Sequence, residues 1–283
     1  QRSYRVYYEK VDSLPKISFI ISSDGSVQEN NYVITTSSKS IEVQNWHMTI
    51  GTYDGDSLKL YLDGTLVGST NFSKGIYYGD QNPPIRFGRK SDHDGMYLNG
   101  NLDEVAIWDT ALTADEVSTL YGSGSVVDAS ANSGSYVSSS NLKGYWKMNE
   151  GTGTTLSDAT SNGNDGTING ATWSTDAPST EVTNISLSFD GVDDFVEVTD
   201  NSSLNGTNIS IGTWFSIEDL DYPGNSEGQV LVSKWGDDSE GFSNQRSYRI
   251  YYEKVDSQPK ISFTVSSDGS VQENSYVIAT SSG

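Results

Sequence analysis

The sequence predicts an all-β chain, an antiparallel β-sandwich with one short helix near residues 114–121. Two observations carry that prediction. Short runs rich in Val, Ile, Thr and aromatic residues recur along the 283 residues, divided by Gly, Asp, Asn and Ser clusters, with Asp-Gly pairs at several of the divisions. A single stretch has helical spacing with a start and a stop signal at its ends. Short strands at regular spacing with turn signals between them build sandwiches.

The elements follow in order. Residues 4–8 and 16–21 are β-rich runs, and Asp24-Gly25 turns the chain. Residues 46–53, 57–62 and 65–69 form a three-strand meander with Asp54-Gly55 and Asp63-Gly64 at its tips. Residues 85–88 and 103–108 are two further strands. At 114–121, Thr113 and Glu116 form a capping box, Val117, Leu120 and Tyr121 give an apolar stripe, and Gly122 stops the helix. Residues 122–140 are rich in Ser, Gly and small residues and read as connecting chain. Strand structure restarts at 144–149, and 150–170 is expected to be mostly loop. Residues 185–189, 195–199, 209–217 and 230–235 are further strands.

Residues 1–38 (QRSYRVYYEKVDSLPKISFIISSDGSVQENNYVITTSS) and 245–282 (QRSYRIYYEKVDSQPKISFTVSSDGSVQENSYVIATSS) are nearly one sequence written twice. They differ only at Val6/Ile250, Leu14/Gln258, Ile20/Thr264, Ile21/Val265, Asn31/Ser275 and Thr35/Ala279. Solenoid units are about 20–50 residues long, and this spacing is that of a whole domain. The repeat therefore predicts a tandem array. Residues 1–122 read as the rear of one domain, 123–140 as a Ser/Gly-rich linker and 141–283 as the front of the next. A half sandwich exposes an apolar face and unpaired edges, so each half needs completing. Folding 141–244 onto 1–122 would build one permuted sandwich and leave the second copy without a place. The expectation is that the two copies hold equivalent places in two successive sandwiches.

Thirty-eight acidic against 17 basic residues give a formal net charge of −21. Such a chain is repelled by nucleic acid and by anionic membranes. It suits hard cations with oxygen ligands, and equally serves solubility in a salty exterior. There is no cysteine, which removes thiol nucleophiles, zinc–thiolate sites and disulfides. No apolar run approaches the ~20 residues that span a bilayer, so no membrane insertion is expected.

Four segments together resemble the laminin-G-like jelly-roll domain of the concanavalin A-like lectin and glucanase superfamily. They are GYWKMNEGTGTTLSDATSNGNDGTINGATW (144–173), LSFDGVDDFVEV (187–198), NWHMTIGTYDGDSLKLYLDGTLVGS (45–69) and LDEVAIWDTALTADEVSTLYGSG (102–124). In that family the order is opening, FDG strand, meander and LDEV ending; here the last two come first. The resemblance implies a concanavalin A-like jelly roll. It also implies a structural Ca²⁺ near the carboxylates Asp190, Asp193 and Asp194 of FDGVDD, with Gly191 between them, and near Asp103 and Glu104 of LDEV. The alternative is that Asp190-Gly191 is a hairpin turn and the other acids are solvated.

Acidic loops holding Asp92 and Asp94, or Asp237 and Asp238, can line a ligand edge, or be solvated turns. Glu218, Asp219, Asp221 and Glu227 form another such loop. Paired tyrosines such as Tyr7-Tyr8 turn one ring outward in a strand, where it can stack on a sugar. Trp46, Trp108, Trp146, Trp173 and Trp214 are expected in the core. Both histidines lack an evident partner, and His47, in the family's WH motif, reads as structural.

Glucanases of this superfamily carry a Glu-x-Asp-x-x-Glu strand; that spacing is absent here, as are a P-loop and a GxSxG elbow. No catalytic residue is assigned. The expected role is a non-catalytic, calcium-stabilised tandem-repeat module of an adhesin or fibre on a cell surface. A prokaryotic source is expected, because bacterial surface repeats commonly lack cysteine. Its partners would be neighbouring repeats or identical chains and a glycan or cell-surface ligand. The alternative is a carbohydrate-binding module of a polysaccharide-degrading enzyme.

Overall fold

A computed structural model describes residues 4–11, 14–22, 32–38, 40–76, 78, 83–89, 96–178, 185–219, 229–234, 249–255 and 258–264. Its strands are β1 (Tyr4–Val11), β2 (Leu14–Ser22), β3 (Tyr32–Thr36), β4 (His47–Tyr53), β5 (Ser57–Leu62), β6 (Thr65–Asn71), β7 (Ile85–Phe87), β8 (Asn99–Trp108), β9 (Leu142–Trp146), β10 (Thr155–Leu156), β11 (Gly166–Asn169), β12 (Thr172–Ser174), β13 (Ser186–Asp190), β14 (Phe195–Val198), β15 (Ile209–Ile217), β16 (Gln229–Lys234), β17 (Arg249–Val255) and β18 (Gln258–Thr264). The α-helix among the described residues, α1, is Ala114–Tyr121.

Two sheets pack as a sandwich. The first runs β10-β11-β14-β7-β16-β1-β2-β3; the second runs β12-β13-β8-β15-β4-β5-β6, with β9 also pairing β8. The pairings are antiparallel throughout. The meander β4-β5-β6 forms as its turns dictate. Asp63 (φ 50°) and Gly64 (φ 72°) both take left-handed backbone in the two-residue tip, the geometry that matches strand twist. At the other tip Asp54 Oδ1 accepts from the amides of Asp56 (3.0 Å) and Ser57 (2.7 Å).

Alternation along the strands sorts residues between two cores. Ile209, Ile211, Phe215 and Ile217 of β15 turn into the main core between the sheets, with Ile17, Phe19 and Ile21 of β2. Trp146 lies there too, fully buried, edge-on to Phe87 at 5.0 Å and donating from Nε1 to the Asn164 carbonyl at 2.8 Å. Trp214, from the other face of β15, joins Met48, Ile50, Trp108 and Tyr145 in a second core on the outer face of the second sheet. Helix α1 covers that face through Val117 and Leu120. Of the other tryptophans expected in the core, Trp46 and Trp173 are half-buried at its margins.

The capping box of α1 forms as the sequence predicts: Thr113 Oγ1 accepts from the Glu116 amide, and Glu116 Oε2 accepts from the Thr113 amide. Glu116 does more. Its Oε1 accepts from the Val137 amide (3.3 Å) and the Ser138 hydroxyl (2.5 Å). This corrects the reading of 123–140 as a linker. The segment packs onto the second sheet, with Tyr136 fully buried and Ala129 nearly so. Trp108 Nε1 donates to the Tyr136 hydroxyl (2.9 Å), which donates to the Ala129 carbonyl (2.8 Å). Small polar residues hide this role, because Val126, Val127, Ala129 and Tyr136 supply the segment's packing against that core.

The arrangement of the two halves also differs from expectation. Strands from 1–122 and from 141–234 alternate within both sheets, so the chain closes on itself as a permuted sandwich. Each half needs a complement for its apolar face, and the complement is present on the same chain. The first repeat copy supplies β1, β2 and β3 of the first sheet, with β1 on β16. From the second copy, β17 and β18 form a separate two-stranded sheet. The two copies therefore do not occupy equivalent places.

Candidate metal centre and outer-face cleft

The FDGVDD acids lie at a corner between the sheets. β13 belongs to the second sheet and β14 to the first, so residues 191–194 carry the chain across the sandwich and are not a hairpin turn. The corner is built from short local bonds. Asp190 Oδ1 accepts from the Val192 amide (2.8 Å), Gly191 takes φ 81°, and Asp194 Oδ2 accepts from the Asp190 amide (2.9 Å). Asp194 is buried, while Asp190 and Asp193 are exposed.

Each of Asp190, Asp193 and Asp194 offers a carboxylate oxygen, and these oxygens lie within 4.8 Å of one another. Ca²⁺ takes oxygens at about 2.3–2.6 Å, so ligands of one ion sit no farther apart than about 5 Å. The triad meets that limit and supplies three hard oxygens of the six to eight the ion takes, the rest coming from water or backbone carbonyls. The electrostatics agree. Burial pushes the Asp194 carboxyl above its ordinary range, and the neighbouring charges of Asp190 and Asp193 push it further. A bound cation relieves that repulsion. Gly170 completes the seat from the connection between β11 and β12. Its φ is 80°, and a Cβ there would stand 2.0 Å from Asp194 Oδ1, so only glycine lets the carboxylate lie where it does.

Asp103 and Glu104 do not join this group. Asp190 faces Asn99 across the β13–β8 pair, and Asp103 is four residues further along β8, about 13 Å away by strand rise. Glu104 belongs to a β-bulge instead, with Asp103 beside it. Asp103 opposes Trp214 and Ala106 opposes Gly212, so Glu104 and Val105 together face Thr213, with Glu104 at φ 52°. The extra residue reverses the alternation: Leu102 and Val105, three apart, both enter the main core. Asp103 is buried, accepting on Oδ1 from the Glu104 amide at 3.0 Å. Burial raises its carboxyl to about 9, the Glu104 charge adding to the shift, so it stays protonated at neutral pH.

Beside the bulge lies a shallow cleft, open to solvent, lined by Glu104, Trp108, Leu120, Tyr145 and Trp214 among others. The Tyr145 hydroxyl donates to Glu104 Oε2 and accepts from the Ala129 amide (3.3 Å). Burial and the Glu104 charge raise the Tyr145 hydroxyl well above its ordinary range. Nothing in the spacing of LDEV announces this partnership with Tyr145, which joins two strands across the sheet.

His47 has the partner that the sequence alone does not reveal. Nδ1 stands 2.9 Å from Asp63 Oδ2 at the β5–β6 tip, and Nε2 stands 3.1 Å from the Glu42 carbonyl. Burial works against its charge, but Asp63 and Glu42 outweigh it and hold the imidazole above its ordinary value. Of the remaining expected ligand residues, Asp92, Asp94, Asp237 and Asp238 lie outside the described residues, as do His93, Asp221 and Glu227. Glu218 and Asp219 are exposed, and their backbones tie the end of β15 to Asn99 and Gln229.

Residues 2–118 match a laminin-G-like family profile described as the concanavalin A-like lectin/glucanases superfamily. The chain is similar to human adhesion G-protein coupled receptor D1, 38% identical over 69 residues, which is 23% of this chain and 8% of the receptor. The chain thus spans a small fraction of the relative's length. No solved structure matches it. No helix among the described residues is long and apolar enough to cross a membrane.

Proposed function

We propose that this chain is a unit of a tandem array of lectin-type sandwiches: a non-catalytic, calcium-stabilised module of a cell-surface adhesin or fibre, on the outside of a prokaryotic cell. The near-identity of residues 1–38 and 245–282 carries the reading. Duplicated modules give reach and avidity without new contacts, which suits a stalk or fibre better than a targeting domain used once. The partners are neighbouring repeats and a glycan or cell-surface ligand. The net charge of −21 disfavours nucleic acid and anionic lipid as ligands. Trp46, Trp108, Trp146, Trp173 and Trp214 are buried or half-buried, so none of these five stands out to stack on a sugar in the manner of a carbohydrate-binding module.

Calcium is assigned to Asp190, Asp193 and Asp194, whose oxygens meet the spacing one ion requires. Calcium at about a hundred times its dissociation constant should raise the melting temperature by about 5–10 °C, and EDTA should reverse the shift. Asp193→Asn, at an exposed position, should abolish the shift while leaving the chain folded. A melting curve indifferent to both calcium and chelator removes the ion from the account. The binding role is tested on a glycan array: retention without release of cleaved sugar supports it, and hydrolysis overturns it.

A further inference from the structure

The first sheet has one place for a β1–β2 hairpin, and the chain carries two hairpins that fit it. β1 fills the place now, antiparallel to β16, with Arg5 opposite Ser233, Val6 opposite Val232 and Tyr8 opposite Gln229. β17–β18 is the same hairpin in the same register: Arg249 faces Thr264 as Arg5 faces Ile20, Tyr252 faces Ile261 as Tyr8 faces Ile17, and Val255 faces Gln258 as Val11 faces Leu14. It stands outside both sheets, with its backbone near β1, β2 and β16.

Among the described side chains, a few buried ones key the place. Ile17, Phe19 and Ile21 of β2 are fully buried, and the Phe19 ring lies on Gly51 of the opposite sheet, where a Cβ would come within 2.3 Å of it. Ser37 is buried and accepts on Oγ from the Ile17 amide at 2.8 Å. The second copy has Ile261, Phe263 and Ser281 at the corresponding positions. Among the first-copy residues whose burial is described, it changes only Ile21 to Val265 and Thr35 to Ala279, both losses of a small group. Chain direction also suits the exchange. β17 follows β16 in sequence through residues 235–248, and strands joined that way pair antiparallel, as β1 does.

We propose that the hairpin beside β16 is interchangeable: the second copy enters the place of the first within the same molecule and releases it as a free hairpin. The sandwich then has two closures with one sheet order. In one, β16 is bonded to a strand from the beginning of the sequence; in the other, to the strand that follows it. The released copy is an edge-forming hairpin whose complement is the β16 edge of another sandwich, which is how a permuted closure and an array can use one sequence. This inference rests on the repeat and the register and is independent of any ligand or of calcium.

The test uses the full chain, which has no cysteine of its own. Phe19→Asp places a charge where the ring sits on Gly51 and bars the first copy; Phe263→Asp bars the second. Each single variant should keep a cooperative melting transition, and the double variant should lose it. In parallel, Val232→Cys is paired with Val6→Cys or with Ile250→Cys and oxidised. In the parent background the Val6 pair should crosslink within one molecule, and in the Phe19→Asp background the Ile250 pair should do so. If Phe19→Asp alone unfolds the chain as completely as the double variant does, the proposal is wrong. It is equally overturned if the Ile250 pair in that background stays reduced or links only between molecules. Neither readout depends on calcium or on glycan binding.

Discussion

Asp103 shows most clearly how one residue's setting differs from its appearance in the sequence. In LDEV it looks like an exposed acid available to a cation; in the fold it is buried at a bulge and keeps its proton to about 9. A carboxyl whose folded pKa is raised binds its proton more tightly in the native chain than in the unfolded one, so it lowers stability as pH rises from about 4 toward 9. Asp103→Asn keeps the acceptor for the Glu104 amide and never ionises. It should flatten that decline and raise stability at pH 8 by more than about 1 kcal/mol, measured by urea unfolding across pH. Three features at this scale were legible in advance: the three carboxylates of FDGVDD, the Thr113–Glu116 box and the Asp63-Gly64 turn signal. The seat of Asp194 on Gly170 and the contact of the His47 imidazole with the Asp63 carboxylate were not. Each joins residues whose separation in sequence carries no information about their distance in space.

Among the elements, α1 is the case where a local signal had a wider consequence. The capping box requires only residues 113 and 116, and it formed as read. The same carboxylate also holds the Val137 amide and the Ser138 hydroxyl, so Glu116 fastens 123–140 to the helix. Burial works to raise its carboxyl, but the bonds from Ser138, Thr113 and Val137 prevail and hold it below the ordinary range. Its stabilising effect is therefore present at neutral pH and is lost as acid protonates it. Glu116→Ala should cost about 1–3 kcal/mol at pH 7 and expose 123–140 to limited proteolysis. The strands with strong β composition, β4, β5, β8, β13 and β15, were legible within a few residues. β3 and β12 were not, nor were β10 and β11 inside the expected loop. These four are five residues or fewer and rely on a sheet neighbour for their stability, not on their own sequence.

At the scale of the whole molecule, the two sheets meet where the Phe19 ring fits over Gly51. Gly51→Ala puts a methyl group into that ring and should cost about 1–3 kcal/mol in denaturant unfolding. Because Phe263 corresponds to Phe19, the loss should be the same whichever repeat copy occupies the sheet. The sequence by itself determined the fold class, the helix and its caps, the repeat, and the acids that form the corner triad, because these depend on composition, period and short-range hydrogen bonding. Tertiary structure alone decided that the two halves close on each other, that 123–140 is packed, that LDEV is a bulge apart from the triad, and which copy lies beside β16. The physical reason is that an apolar face or an open strand edge specifies what kind of surface must cover it. Where several segments of one chain offer that surface, chain connectivity and packing choose among them.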